Sequence, residues 1–372
     1  MRSKNKQSVI CHLTSAHSDG DTRIFHKLAV SCAERYQTYF IVPNGNTRIE
    51  NNVQVIGFES AVRSRIQRMK ETVNQVLNEA LKVKADIYHL HDPELLRISK
   101  KLKSINGAKV VFDSHEDVPK QILDKYWIPV IFRSFISKIY SYHEKRACKK
   151  IDGIISVTPI ICARFSKFHP NVEMIANYPQ IKTNEKQIAE RIENHICYIG
   201  GLYESRGLRE VILAIEHCDV VLHLAGTFDT EQFEMELKQL KGWNKVIFYG
   251  QVNQEKITKL LDKCTIGIVT LHPTPSYLEA YPIKMFEYMN SGLAILASDF
   301  PLYRSLLEEI DCSTFVDPLN PDDISKTLNA MLENQGRLKE MGIRAKKAAN
   351  ERYNWSKEKE KLYAFYDNLL HE

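Results

Sequence analysis

Residues 275–298 read PSYLEAYPIKMFEYMNSGLAILAS and combine a loop, a predicted helix and a predicted strand. Proline fixes its φ angle and lacks an N–H group, so Pro282 suits the first position of a helix over residues 283–290, which Gly292 closes. The first turn of a helix presents unpaired N–H groups and a partial positive charge, to which Lys284 adds a full one. The stretch therefore predicts an anion site, suited to a phosphate, at the helix start.

Two glutamates flank this predicted helix start. Glu279 lies in the loop before it and Glu287 lies on the helix, with seven residues between them. Carboxylates on either side of an anion pocket could accept hydrogen bonds from the hydroxyls of a bound sugar nucleotide. The alternative is that Glu279 is a solvated loop residue and that Glu287 faces water on an amphipathic helix. The two glutamates alone leave both interpretations open.

The chain is long enough for two domains, because 372 residues exceed what one hydrophobic core usually holds. Short apolar strands alternate with helical patterns in both halves. This alternation predicts an α/β protein with two parallel sheets, since parallel strands need long crossover connections. With a polar linker at residues 179–194, the predicted domains are residues 1–178 and 179–354, followed by an amphipathic last helix at 355–372.

Cysteine usage and hydropathy exclude several classes of protein. The eight cysteines are scattered without a C-x-x-C pair, which favours buried, reduced thiols over a disulfide framework or a zinc site. No apolar run approaches the roughly 18 residues of a membrane span, and the N-terminal residues lack the apolar block of a signal peptide. We therefore expect a cytoplasmic protein.

Positive charge is concentrated in the first half. Residues 1–178 hold 28 Lys and Arg against 17 Asp and Glu, whereas residues 179–372 hold 23 against 29. Within the first half, residues 126–150 read YWIPVIFRSFISKIYSYHEKRACKK. Such a helix could lie on an anionic membrane with its cations at the headgroups. The alternative is an amphipathic helix that faces the core and keeps its lysines in water.

Polar residues follow several predicted strands of the first half. His91 and Asp92 lie at the end of the segment DIYHLHD, and Asp113, His115, Glu116 and Asp117 lie at the end of the segment KVVFDSHED. Ligand-binding groups of α/β sheets gather at such strand ends, although a single histidine can equally cap a loop. The D-x-H-E-D spacing could suggest a metal site, but a metal usually needs ligands from other segments too. Arg23, in the first loop, either binds a ligand or forms a salt bridge at a helix end.

The second half contains GGLYESRGL after its first strand, at residues 200–208. The glycine pair, which includes Gly201, allows a tight turn, and Arg206 at the start of the next helix can reach a diphosphate in a bidentate manner. The alternative is a solvated arginine at a helix start. Further along, Tyr249 and Gly250 lie at a predicted strand tip in FYGQV, where the tyrosine either stacks on a base or is a half-buried residue of the strand end.

These motifs together resemble those of a known enzyme family. The Glu-x7-Glu arrangement within PIKMFEYMNSG resembles the signature of retaining family 4 glycosyltransferases, and DTRIF, HLHDPELL, DSHED and GGLYESRGL are similar to family segments in order and spacing. The resemblance implies the GT-B fold, an α/β architecture with two Rossmann-like domains facing a cleft. It also implies that the last helix crosses back to the first domain, that the first domain binds the acceptor and that the second binds the donor.

The resemblance also assigns roles to individual residues. Glu287 would hold the ribose hydroxyls, Glu279 the hydroxyls of the donor sugar, and Arg206 with Lys284 the departing diphosphate, while His91 would contact the transferred sugar. Further donor-side residues would be Gly201, Tyr249, Gly250, Pro282, Ile283 and Met285, and acceptor-side residues would be Arg23, His115 and Glu116. The family usually carries an arginine where this chain has Gly201, so one customary phosphate cation is absent.

The expected reaction is transfer of a sugar from a nucleoside diphosphate sugar, with UDP or GDP as the nucleotide, to a hydroxyl of a glycan or lipid-linked glycan in cell-surface polysaccharide or glycoconjugate synthesis. No metal, other cofactor or nucleic-acid partner is expected. Two rival interpretations remain. The chain could be a GT-B enzyme that does not transfer to an acceptor, such as an epimerase or phosphorylase, or an inactive protein that binds a sugar nucleotide.

Overall fold

The structure is a computed structural model that describes residues 7–61, 64, 67–125, 127–181 and 191–371. Contacts divide the chain into two compact units, Met1–Asn177 together with Trp355–Glu372, and Tyr178–Asn354. The first unit thus ends one residue before the predicted domain boundary. The predicted linker at 179–194 includes residues 182–190, which lie outside the described residues.

The first unit is built on a sheet with eight strands among its described residues. In sheet order β3-β4-β2-β1-β5-β6-β7-β8, every neighbouring pair is parallel except β3 with β4. The strands are β1 Val9–Leu13, β2 Gln37–Pro43, β3 Arg48–Glu50, β4 Val53–Phe58, β5 Ile87–Leu90, β6 Lys109–Ser114, β7 Gly153–Ser156 and β8 Val172–Met174. Since β1 lies between β2 and β5, the strand order reverses there, and the loops after β1 and β5 meet at the switch point.

Helical segments cover both faces of this sheet. Their apolar residues recur at helical spacing, as in Val73, Val76, Leu77 and Ala80, which are buried on one face. The segments are Ile24–Ala29 continued by Val30–Cys32, Arg68–Thr72 continued by Val73–Val83, Pro93–Ile98 continued by Ser99–Lys103, Val118–Asp124, Val130–Cys148, Pro159–Ser166 and Trp355–His371.

The last helix, Trp355–His371, belongs to the first unit, as predicted. Its apolar face packs on the inner strands of the sheet, and the hydroxyl of Tyr366 is hydrogen-bonded to Nδ1 of His89 at 2.5 Å. The approach is close at β7, where a Cβ atom on Gly153 would lie 2.5 Å from the ring of Phe365. The sequence therefore needs a glycine at this position for the helix to dock.

The second unit contains a fully parallel sheet with six strands in the described range. Its order is β11-β10-β9-β12-β13-β14. The strands are β9 His195–Ile199, β10 Val221–Ala225, β11 Val246–Phe248, β12 Ile266–Val269, β13 Ala294–Ser298 and β14 Ser313–Val316. The chain builds outward from β9 in one direction and from β12 in the other, so the loops after β9 and β12 meet at the switch point of this sheet.

Helices also cover both faces of the second sheet, which agrees with the continuous apolar runs of its inner strands. The helical segments are Glu204–Arg206, Leu208–Ile215, Glu231–Gln239, Lys241–Lys245, Gln254–Leu261, Tyr277–Glu279, Ile283–Ser291, Pro301–Leu307, Glu308–Ile310, Pro321–Leu332 and Gln335–Glu351. All eight cysteines are free, and all but the half-buried Cys162 are buried, as predicted. No helix in the described parts of the chain combines the length and the hydropathy of a membrane span.

Candidate active site

The helix Ile283–Ser291 lies where the sequence predicts it. Pro282 occupies the position just before the first turn, with an extended backbone at φ −70° and ψ 120°, rather than the first helical position. Gly292 ends the helix with a left-handed φ of 72°, and its N–H donates to the carbonyls of Met289 and Tyr288. A residue with a Cβ atom adopts this conformation less readily, which explains why the helix stops at a glycine.

Lys284 turns inward from the first turn of this helix and is only 7% exposed. Its Nζ atom lies 3.5 Å from the ring centre of Tyr198, at the end of β9, and has no hydrogen-bond partner among the described residues. A Cβ atom on Gly200 would come within 3.4 Å of this amine. Burial, followed by the positive charge of Arg206, holds the pKa of Lys284 well below its usual value, and Glu287 opposes this shift.

Arg206 lies on the short turn Glu204–Arg206 that follows β9, and its guanidinium carbon is 4.9 Å from the ring centre of Tyr277. Nε of Arg206 is buried and has no hydrogen-bond partner in the described ranges. The same is true of two nearby hydroxyl oxygens, those of Tyr303 and Thr270. Burial raises the pKa of Tyr303, and the charge of Arg206 opposes the rise. Buried polar groups are rarely left unpaired, so this cluster is suited to a ligand rich in acceptors.

Thr270 and Tyr303 were not predicted from the sequence. Thr270 directly follows β12, and the backbone of Gly207 approaches it so closely that a Cβ atom there would lie 1.9 Å from the carbonyl oxygen of Thr270. Gly207 has a left-handed φ of 72°, which permits this approach. The strand-end position of Thr270 was a usable signal, but Tyr303 comes from the helix Pro301–Leu307, and no local pattern marks it.

The two glutamates of the motif lie on either side of the helix start. Glu279 ends the short turn Tyr277–Glu279 and is half-buried, and Glu287 is half-buried one helical turn after Lys284. Residues three apart on a helix are neighbours, and Glu287 lies near enough to Lys284 to favour its charged form. The structure thus brings Glu287, Lys284 and Arg206 together at the switch point of the second sheet.

The remaining donor-side predictions lie around this region with different degrees of exposure. Tyr249 has its hydroxyl 2.8 Å from Nδ1 of His223 and its ring stacked on the same histidine, which agrees with the alternative of a strand-end tyrosine. Gly250 adopts φ 63°, and a Cβ atom on Gly201 would lie 2.2 Å from the ring of Tyr203. Pro282 is buried, Ile283 is 37% exposed and Met285 is fully buried, so the Met285 side chain packs in the core.

In the first unit, Asp113 at the end of β6 is the centre of a buried charge network. Arg23 donates from Nε and Nη2 to its two oxygens at 2.9 and 2.8 Å, and Nε2 of His115 lies 2.6 Å from Oδ2. Burial alone would raise the pKa of Asp113, but Arg23 and His115 outweigh it and hold that pKa well below the usual range. The third guanidinium nitrogen of Arg23 donates to the carbonyl of Ile175, so Arg23 forms a buried ion pair.

His91 joins this network from the end of β5 and is 3% exposed. Its Nδ1 atom lies 3.4 Å from Oδ2 of Asp113, and its Nε2 atom lies 3.0 Å from Nδ1 of His12. Nε2 of His12 and Nε2 of His89 are buried and have no hydrogen-bond partner among the described residues. Burial is the main cause that lowers the pKa values of all three histidines, so their imidazoles are neutral at pH 7.

Two groups of these side chains have a spacing that could hold a metal ion. The ligand atoms of His12, His89 and His91 lie within 4.8 Å of one another, as do those of His91, Asp113 and His115. Ligands from other segments, which the sequence analysis considered necessary, are therefore present. Both oxygens of Asp113 already accept from a guanidinium, however, and a cation there would compete with Arg23. The absence of a metal requirement stays a prediction.

Glu116, the last acceptor-side residue, is exposed, and its carboxylate accepts from the side-chain amide of Gln121. A polar depression of about 430 Å³, which was not predicted from the sequence, lies at the ends of β1, β2 and β4. Arg68 and His17 line this depression, and they pair with Glu94 at 3.0 Å and with Asp92 at 3.1 Å. The polar loop after β1 could have indicated a binding site here, whereas Arg68 belongs to a helix that is distant in sequence.

The buried histidines predict a loss of stability in mild acid. The pKa values of His12 and His89 are depressed in the folded chain, so the unfolded chain binds more protons below pH 6.5. The free energy of unfolding of the first unit should fall between pH 6.5 and 5.5, by about 1 kcal/mol for each of these two histidines. His17 donates a hydrogen bond to the Asp92 carboxylate, which raises the pKa of His17, so this histidine opposes part of the fall. Urea denaturation at several pH values measures this slope.

A matched pair of variants separates the buried histidines from other groups. His12→Asn should flatten the pH slope, whereas His143→Asn, at an exposed histidine of the same unit, should leave it unchanged. An unchanged slope in His12→Asn would show that the buried imidazoles do not cause the acid sensitivity.

Two family models match the chain, one in each unit. Residues 19–177 match the model described as Glycosyltransferase Family 4, and residues 180–348 match the model described as Glycosyl transferases group 1. The chain is a family 4-like glycosyltransferase. The first match contains His91 and Asp113, and the second contains Arg206, Lys284 and both glutamates of the motif.

Individual relatives agree with this assignment. This glycosyltransferase is similar to an uncharacterised glycosyltransferase of Methanocaldococcus jannaschii, with 27% identity over 168 residues, or 44% of this chain and 42% of the relative. It is also similar to phosphatidyl-myo-inositol mannosyltransferase of Mycobacterium tuberculosis, with 22% identity over 301 residues, or 76% and 74% of the two chains. The matched regions span 42% and 48%, or about half, of the first two curated relatives.

A solved structure confirms the predicted fold class. HepE of Anabaena, in complex with UDP-glucose, matches this glycosyltransferase with a TM-score of 0.72 at 16% identity, over 98% of this chain and 100% of HepE. A similarity at this level of identity shows the fold alone. The two Rossmann-like units and their parallel sheets are those of the GT-B fold.

Proposed function

We propose that the chain is a retaining glycosyltransferase that moves a sugar from a nucleoside diphosphate sugar to a hydroxyl acceptor. The observation that carries the proposal is the convergence of Arg206 and Lys284 at the switch point of the second sheet. Each cation has a buried nitrogen without a hydrogen-bond partner in the described chain, and the hydroxyls of Thr270 and Tyr303 nearby are in the same condition. A diphosphate would supply two negative charges for the cations and many acceptor oxygens for the unpaired N–H and O–H groups of this cluster.

The low pKa of Lys284 fits this role. In the free chain the buried amine is costly to protonate. A bound diphosphate would favour the ammonium form, so Lys284 would carry its full positive charge when the phosphate is present. The start of the helix Ile283–Ser291 would add its partial positive charge. Charge that develops on the leaving phosphate would thus meet groups already held in position, and such electrostatic stabilisation supplies most of the rate acceleration in many enzymes.

The reaction breaks the bond between the anomeric carbon and the diphosphate oxygen and forms a bond from that carbon to the acceptor oxygen. The acceptor hydroxyl gives its proton to the leaving phosphate, on the face where the donor leaves, and this same-face attack retains the anomeric configuration. No side chain is proposed as a nucleophile. Glu287 would accept from the ribose hydroxyls and Glu279 from the hydroxyls of the donor sugar.

The first unit would bind the acceptor. The polar depression beside His17 and Arg68 offers donors and acceptors for a hydroxylated molecule. We propose a UDP- or GDP-sugar as the donor, which the complex of HepE with UDP-glucose supports. A glycan or lipid-linked glycan of the cell surface is the proposed acceptor, and no metal is proposed to take part.

The rival interpretation of an inactive sugar-nucleotide-binding protein rested on the cation absent at Gly201. Lys284 weakens that argument, because it supplies a second cation beside Arg206 from another segment of the chain. The non-transferring rivals are therefore not favoured, and a donor experiment separates them from a transferase.

A panel of UDP-, GDP- and ADP-sugars tests the proposal by thermal shift and by release of the free nucleoside diphosphate. A ligand at a hundred times its dissociation constant adds about 2.7 kcal/mol to the free energy of unfolding. We expect stabilisation by one nucleotide class and slow nucleotide release that an acceptor glycan accelerates. Binding without any release or transfer would support the inactive alternative, and no binding would overturn the proposal.

Neutral amides in place of the motif glutamates should weaken the donor interaction. Glu287→Gln and Glu279→Gln each keep the side-chain size but lose a charged acceptor for sugar hydroxyls, so each should lower kcat/KM for the donor by at least about tenfold, or about 1.4 kcal/mol. Steady-state kinetics measure this change. The control is Glu255→Gln, at a glutamate 73% exposed on another helix, which should keep the original kcat/KM. If all three variants kept the kcat/KM of the original chain, neither Glu279 nor Glu287 would bind the donor.

A further inference from the structure

The helix Val130–Cys148 exposes an unusual number of large apolar side chains. Just before it, Trp127 is 55% exposed. On it, Val130 is 73% exposed, Ile131 80%, Phe132 52%, Phe135 64%, Ile136 39%, Ile139 44% and Tyr142 62%. Soluble proteins rarely leave so contiguous an apolar surface uncovered unless it binds something. The alternative considered from the sequence, in which the apolar side of this helix faces the core, is therefore wrong.

The exposed residues form one stripe along the helix. Ile131, Phe135 and Ile139 follow one another at intervals of four residues, and Phe132, Ile136 and Tyr142 lie beside them. We call these six residues the apolar stripe. At 100° per residue they occupy less than half of the helix circumference.

The opposite face of the helix is fixed to the first unit. Glu144 is 3% exposed and pairs with Arg164, and Cys148 is fully buried. Ser137 donates to the carbonyl of Pro119 at 2.7 Å, and Arg133 donates to the carbonyl of Ile128 at 2.7 Å. These contacts fix the rotation of the helix about its own axis. The packing of the first unit therefore directs the stripe outward.

The exposed charges on this helix and directly after it have one sign. Lys138, Lys145 and Arg146 on the helix, and Lys149 and Lys150 directly after it, are all exposed. Glu144 is the only acidic residue between positions 127 and 150, and it is buried and paired. The surface thus joins an apolar stripe to at least five cations without an exposed acid in its own segment.

We propose that this surface docks the chain on an anionic lipid bilayer, with the apolar stripe at the acyl boundary and the cations at the headgroups. Amphipathic surfaces of this kind bind through buried apolar area together with attraction to anionic lipids. Each Lys or Arg close to such a membrane strengthens binding by about fivefold. A second copy of the chain is a poorer occupant, because two such surfaces would bring like charges together.

Docking would also specify the acceptor of the proposed function. A chain held at the bilayer meets molecules anchored in it, so the acceptor would be a lipid-linked glycan or a glycolipid. This last step rests on the proposed function, whereas binding to the bilayer does not.

Sedimentation with lipid vesicles tests the proposal on the full chain without a donor. Vesicles that contain phosphatidylglycerol should pull down the chain at low salt, and pure phosphatidylcholine vesicles should bind it at least about tenfold more weakly. The double variant Phe135→Ser with Ile139→Ser should reduce binding to the anionic vesicles at least about tenfold. The double variant Lys149→Gln with Lys150→Gln should also reduce it about tenfold or more, and the original chain should lose binding as salt rises.

The control is Ile49→Ser, because Ile49 is 78% exposed in the same unit but far from the helix in sequence. This variant should bind like the original chain. Equal vesicle binding by the original chain and the stripe variant, or no binding at all, would overturn the proposal. Sedimentation velocity adds a further outcome, since a dimer that the stripe variant dissolves would assign the surface to self-association. Nucleotide release in lipid-free buffer reports separately on the proposed function.

Discussion

Lys284→Met is expected to lower kcat for sugar transfer by about a hundredfold or more, which corresponds to roughly 2.7 kcal/mol in the barrier. Methionine keeps the apolar length that covers the ring of Tyr198, but it removes the charge that would meet the leaving diphosphate. The matched control is Lys238→Met, at a lysine that also lies over an aromatic ring, 6.0 Å from the centre of Phe248, but whose side chain is 47% exposed. Initial rates of transfer or nucleotide release measure both variants.

The same variant separates the charge of Lys284 from a structural role. Burial of the amine costs free energy in the absence of donor, so Lys284→Met should be at least as stable as the original chain. Binding of UDP should raise the depressed pKa of Lys284, so the original chain should take up protons on binding at pH values between the free and bound pKa. Calorimetry in buffers of different ionisation enthalpy measures this uptake. An active variant, or proton uptake that persists without Lys284, would contradict the proposed diphosphate site.

The helix that would begin the proposed diphosphate site was predictable because its signals are local. Pro282 and Gly292 mark the limits of one helix within eleven residues, and Lys284 is in its first turn. The aromatic residues of the site were harder to predict. Tyr198, which lies against Lys284, and Tyr303, which lies near Arg206, are 86 residues before Lys284 and 19 after it in sequence, and they reach the site only through the order of the strands. A local pattern cannot report contacts that depend on sheet topology.

The orientation of the helix Val130–Cys148 shows a second limit of sequence patterns. Apolar residues at helical spacing identify a face, but the same spacing arises whether the face packs on a core or points to a partner. Contacts of the opposite face decide the question, and here the buried Glu144 meets Arg164, 20 residues further along the chain. The sequence therefore left two interpretations open, and only the packing of the first unit excludes one of them.

Arg23 illustrates the same limit with an ionic contact. The sequence offered ligand binding or a salt bridge at a helix end, and the structure shows a salt bridge from Arg23, at the start of a helix, to Asp113, 90 residues away. Both side chains are almost fully buried, with exposures of 4% and 0%. Two buried charges gain little net stability over an apolar pair, but removal of one partner is costly because the other remains buried without compensation.

Arg23→Met should therefore lower the free energy of unfolding of the first unit by about 3–5 kcal/mol at pH 7, since Asp113 would stay buried without its guanidinium partner. The buried Trp355, which packs in this unit, can report its unfolding in urea once Trp127 and Trp243 are replaced by phenylalanine. The control is Arg48→Met in the same unit, which breaks the half-exposed contacts with Asp19 and Glu50 and should cost no more than about 1 kcal/mol. Adding Asp113→Asn to Arg23→Met should recover part of the loss, because the unpaired charge is then gone. A loss below about 1 kcal/mol in Arg23→Met, or no recovery in the double variant, would mean that the buried charge of Asp113 does not depend on Arg23 for its compensation.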